Sequence, residues 1–103
     1  MKAQMTAWHQ LDAQETVGAE ELCLACRITV EELEEIVGYG TLAPVRNDNP
    51  RLFGADWLMP LREAARMKRD FDMDLFAVGL IADYLHRIDA LEHELRALRS
   101  RLG

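Results

Sequence analysis

Any covalent chemistry in this chain would have to come from a small set of residues. Cys23 and Cys26 form a single C-x-x-C. In redox motifs of that spacing the first thiol opens a helix, where the dipole lowers its pKa, and a zinc ribbon needs a second pair. Here the pair falls late in an expected helix and no second pair follows, so both cysteines read as small apolar core side chains. His9, His86 and His93 are scattered, with no Ser, Cys or Asp spaced as a nucleophile and base. Glu31 and Glu35 share a helix face, but paired carboxylates do acid and base work only in a pocket that separates their pKa values. The sequence has no glycine-rich phosphate loop and no zinc spacing. The expectation is a protein that is not an enzyme, with no catalytic residue, no metal ligand and no cofactor.

What the sequence does concentrate is negative charge. From Asp12 to Glu35 there are eight acids against one base, Arg27, a local net charge of −7. The whole chain of 103 residues holds 12 basic and 18 acidic residues, for a net charge of −6. Affinity for phosphate comes mainly from Lys and Arg releasing counterions, so this balance argues against a free-standing nucleic-acid binder. The same charge would attract and steer a basic protein surface. The plainer reading is a solvated helix face. Glu31 and Glu32 have a local reason to be acidic, because they lie in a first turn and favour the helix dipole. Glu34 and Glu35 lie farther along and lack that reason.

The elements that must position these residues follow from periodicity and caps. Residues 1–17 are polar and aperiodic and read as a mobile or loosely docked tail. A short helix is expected from about Ala19, with Leu22, Cys23 and Cys26 facing inward and Gly18 and Glu21 as a weak cap. Thr29 and Glu32 make a capping box ahead of the apolar set Val30, Leu33, Ile36 and Val37, which Gly38 and Gly40 terminate. Two short helices joined by a tight turn at Arg27 and Ile28 are a helix-turn-helix. Leu42 to Val45 and Leu52 to Phe53 flank the turn-forming "NDNP", which predicts a two-stranded hairpin. A third helix is expected from Asp56 to about Asp70, with Pro60 tolerated in its first turn. After "FDMD", a long amphipathic helix should run from Leu75 to Leu102. Its residues Ile81, Tyr84, Ile88, Leu91, Leu95, Leu98 and Leu102 alternate three and four apart, as in a dimerisation seam. Gly79 is a candidate kink. The division is thus an N-terminal tail (1–17), a helix-turn-helix domain (18–72) and a C-terminal dimerisation helix (73–103). A core this small is marginal alone, and a homodimer is expected. The longest apolar run, "LFAVGLIA", falls far short of the roughly 20 residues of a membrane span. With a start unlike a signal peptide, the expected setting is cytoplasmic and away from membranes.

In this order the elements resemble the MerR-type winged helix-turn-helix. The resemblance is carried by "ITVEELEEIVGYGTLAP", "RLFGADWLMPLREAARMKRDF" and the C-terminal seam, and covers about Val17 to Leu102. Within that group "EELEEIVGYGTLAP" and "LFGADWL" are most similar to the chaperone-modulatory CbpM family rather than to promoter-binding regulators. The resemblance implies a mainly α fold with a small two-stranded wing and a long dimerisation helix. It also implies a function: binding the J-domain of CbpA, a DnaJ-type co-chaperone, and inhibiting its work with the DnaK chaperone. J-domains resemble one another in a basic helix that engages DnaK, and an acidic helix covering it would compete for that surface.

The residues expected to meet such a partner are Glu31, Glu32, Glu34 and Glu35, with Trp57 as a candidate anchor because Trp is enriched at interface hot spots. Phe53 and Trp57 have an alternative role as seals between wing and helix. A second function stays open on the sequence: a MerR-like transcription regulator reading DNA through Arg46 and Arg51 of the wing and through the basic third helix, Arg62, Arg66, Lys68 and Arg69. The acidic recognition helix leads to the expectation of no nucleic-acid partner.

Overall fold

A computed structural model describes residues 15–102. In chain order it contains strand β1 (Thr16–Gly18), helix α1 (Ala19–Cys26), helix α2 (Val30–Gly38), strand β2 (Leu52–Gly54), a 3-10 turn (Ala55–Trp57), helix α3 (Leu58–Phe71) and helix α4 (Leu75–Leu102). The fold is mainly helical, with one small antiparallel sheet and a long C-terminal helix. No helix among the described residues is long and apolar enough to cross a membrane.

The helix-turn-helix forms where the caps place it. Arg27 adopts left-handed backbone (φ 60°, ψ 46°) and, with Ile28, returns its N–H to the Cys23 carbonyl, closing α1. Thr29 then opens α2. Its hydroxyl accepts from Glu32 N at 3.0 Å, and Glu32 Oε1 accepts from Thr29 N at 2.9 Å, which completes the capping box. Gly40 takes a positive φ of 85° just beyond α2, a conformation that costs glycine little. At the other end of the domain, Asp72 in left-handed backbone ends α3, and Asp74 Oδ1 accepts from Ala77 N at 2.8 Å to start α4.

The core joins all four helices. Leu22 and Cys26 of α1, Leu33 and Ile36 of α2, Leu61 and Ala64 of α3, and Val78 and Ala82 of α4 are buried around Phe53 and Leu42. α3 begins two residues later than expected, because residues 55–57 wind as a 3-10 turn, and Pro60 lies in its first turn.

Four expectations are corrected. The hairpin between Leu42–Val45 and Leu52–Phe53 is reduced to a single Arg46/Leu52 bridge, because residues 47–50 are all turn formers and leave no run of strand to pair. β2 instead pairs with β1, Val17 opposite Phe53. Thr16 and Val17, assigned to the tail, therefore belong to the sheet, where Val17 packs on the core; residues 1–14 lie outside the described residues. Gly79 does not split α4, which runs unbroken from Leu75 to Leu102. It serves close approach: a Cβ at that position would collide with Thr41 Oγ1 and touch Ile36. Val30, expected with the inward set of α2, is exposed.

Candidate functional site: the acidic helix-turn-helix face

α1 and α2 both carry exposed carboxylates, Glu20 and Glu21 on α1 and Glu31, Glu34 and Glu35 on α2. Burial raises the Cys23 thiol pKa, and Glu32, Glu34, Glu20 and Glu31 raise it further through their charge. Acids from both helices therefore act on one point. Cys26 is buried more deeply. Burial pushes its thiol up to about 12, and its S–H points to the Leu58 carbonyl at 3.8 Å. Both cysteines are free and buried, the environment of an inert structural thiol rather than a reactive one.

The four glutamates expected to meet a partner are not equivalent. Glu32 caps α2 and lies 3.9 Å from Lys68 Nζ. Glu34 Oε1 accepts from Arg51 at 2.6 Å. Glu35 accepts from the Tyr39 hydroxyl at 2.6 Å, a hydrogen bond that raises the tyrosine pKa. Glu31 is exposed with no partner among the described residues, as is Glu20 of α1. Glu31 is thus an acid of α2 whose local role is confined to its charge in the helix's first turn.

Trp57 is half-buried against the core and stacks on His86 of α4, ring centroids 3.9 Å apart and planes 7° apart. His86 Nε2 lies 2.8 Å from Asp56 Oδ2. This trio fastens the 3-10 turn to α4, in keeping with a sealing role for Trp57.

The bases through which DNA would be read are mostly engaged. Arg46 pairs with Asp48 at 2.7 Å, and Arg51 with Glu34. On α3, Arg66 is held by Glu63 and Asp70, and Arg69 donates to the Cys26 carbonyl at 3.3 Å, capping α1. Arg62 has no ion-pair partner among the described residues.

One part of the site was not read from sequence. Leu24 on α1 is 81% exposed and Val30 at the start of α2 is 43% exposed. With Ile28, Cys23, Thr29 and Glu20 they line an open cleft of about 370 Å³ across the turn of the motif. The signal was present: Leu24 lies between the inward-facing Cys23 and Cys26, where helical spacing turns it to solvent.

Along α4 the expected seam divides. Ile81 packs against the domain's own core, whereas Tyr84, Ile88, Leu91, Leu95, Leu98 and Leu102 are exposed.

The family model for MerR HTH family regulatory proteins matches residues 17–100. A chaperone modulatory protein CbpM of Citrobacter koseri is 31% identical over 84 residues, covering 81% of this chain and 83% of its own. One from Salmonella paratyphi B is 33% identical over 89 residues, with the same coverage. The chain belongs to the CbpM family of MerR-type helix-turn-helix proteins. The span matched by the family model runs from β1 through most of α4.

Proposed function

We propose that this protein is a chaperone modulator that binds the J-domain of a CbpA/DnaJ-type co-chaperone through its acidic helix-turn-helix face and inhibits cooperation with DnaK. The observation that carries the reading is the charge arrangement. Glu20 and Glu21 of α1 and Glu31, Glu34 and Glu35 of α2 are exposed, while the wing bases Arg46 and Arg51 are paired with Asp48 and Glu34. A duplex approaching this face would meet carboxylates where it needs cations. A basic protein helix would be drawn to it and oriented by it. The names of the CbpM relatives support the chaperone side of the reading.

Two further parts belong to the same proposal. The exposed stripe from Ile88 to Leu102 is a homodimer seam, so that each dimer presents two acidic faces. The setting is cytoplasmic, where DnaK and its co-chaperones work.

The test mixes the purified chain with an isolated J-domain and, separately, with random-sequence duplex DNA. The expected outcome is a soluble complex holding one J-domain per chain, no DNA shift at physiological salt, and a fall in co-chaperone-stimulated DnaK ATPase. A selected duplex bound in the nanomolar range, where specific readers operate, with no J-domain complex, would favour the transcription-regulator reading.

A further inference from the structure

We propose that the cleft between α1 and α2, with Leu24 and Val30 at its mouth, is an anchor site for an apolar side chain carried on a basic amphipathic helix. The inference rests on the reading of the acidic face and deepens it, since charge alone would give a weak and poorly placed contact. Leu24 is 81% exposed on a helix whose neighbours Leu22, Cys23 and Cys26 are buried. It contributes nothing to the core. Val30 and Ile28 continue the apolar surface across the turn, and Glu20 lies on its rim. Glu31, the next residue after Val30, is exposed and unpaired among the described residues. Apolar centre and acidic border is the pattern of an interface core with a polar rim.

The chemistry of the occupant follows from both parts. Nucleic acid and anionic lipid surfaces carry the wrong charge for this border. An apolar protein segment without bases would leave Glu20 and Glu31 unmatched. Helices place residues three and four apart on one face, so a leucine-sized side chain with Lys or Arg at those spacings would fill the cleft and meet the acids together. This is the helix-in-groove mode of recognition, with one anchor and flanking charge. One segment of the chain itself has the same character, the last turns of α4, where Leu95, Leu98 and Leu102 alternate with Arg96, Arg99 and Arg101. A second copy is therefore the rival occupant.

The experiment compares Leu24→Ser and Val30→Ser with Glu31→Gln in the full-length chain. Two probes are used: an isolated J-domain, and a synthetic amphipathic helix with one leucine flanked by lysines. Both Ser substitutions lie on the surface, and circular dichroism checks the fold. Leu24→Ser is expected to weaken binding of both probes about tenfold or more, by the same factor at low and high salt. Glu31→Gln should lose less, and its effect should shrink as salt rises. Wild-type affinity in folded Leu24→Ser overturns the anchor while leaving the acidic reading to stand on Glu31→Gln. Binding of the peptide but not of the J-domain keeps the cleft and contradicts the J-domain reading. Binding of neither probe by the unsubstituted chain overturns the proposal, as does a Leu24→Ser chain whose only defect in sedimentation is lost self-association, which would assign the cleft to a second copy.

Discussion

The two halves of α4 share a periodicity and differ in what covers them. In the first half, Val78, Gly79 and Ala82 are buried in the domain, Gly79 against Thr41, and His86 is fastened to Asp56 and Trp57. In the second, Leu91 is 63% exposed and Leu95, Leu98 and Leu102 are exposed with it. A helical stripe states that a face must be covered; it does not state by whom. The first half has its partner in the same chain. No surface among the described residues covers the second half, and an isolated helical extension of about 15 residues is marginal in water, which is the physical case for a second copy.

The largest expected effect is at the free half. Leu91→Ser, Leu95→Ser and Leu98→Ser together remove about 1.5–3 kcal/mol of burial per side chain from an association whose entropic cost is about 4–15 kcal/mol. Sedimentation should then give a monomer at tens of micromolar, with reduced helicity. An unsubstituted chain that is already monomeric there would mean that nothing covers the stripe. At the buried half, Gly79→Val should lower stability by about 1–3 kcal/mol, read as a shift in urea midpoint, while the dimer persists wherever the chain stays folded. Equal loss of dimer and fold in both variants would dissolve the distinction between the halves. His86→Ala should cost less, about 1 kcal/mol, because the ring stack and its carboxylate contact are partly exposed. The smallest effect is at the cysteines. Burial raises both thiol pKa values, Cys26 to about 12. The neutral thiols therefore favour the fold fully below pH 9, and the contribution falls away as pH climbs toward 12. Iodoacetamide at pH 8 should label the urea-unfolded chain quickly and the native chain slowly; rapid native labelling would contradict the burial.

The legible parts of the molecule were those written in local signals. Thr29 and Glu32 announce α2 through a capping box whose atoms lie three residues apart, and the alternation of three and four from Ile81 to Leu102 announces α4. Partners distant in sequence were less legible. The sheet partner of Phe53 is Val17, 36 positions away in a stretch with no strand signal, while the nearer Leu42–Val45 has a strand-like pattern and forms no strand, the one bridge there being Arg46 with Leu52. Gly79 reads as a flaw in a helix until Thr41 is seen against it. In the candidate site, the acids of α2 could be located from sequence, but not their separate duties. Glu34 is engaged by Arg51 across 17 residues, and Leu24 becomes visible as a contact only once its neighbours are buried.

In the proposed function the acidic face, not the fold it sits on, does the binding. Glu31→Gln, Glu34→Gln and Glu35→Gln in one chain test it most directly, because Gln is a good helix former and the Glu32 cap is left in place. Losing Glu34 also releases Arg51, adding a base to the surface. The affinity of this variant for an isolated J-domain, measured by titration at two salt concentrations, should fall at least about tenfold at low salt and converge toward the unsubstituted chain at high salt. Unchanged affinity at both, with normal helicity, would contradict the account and move the contact off the helix-turn-helix.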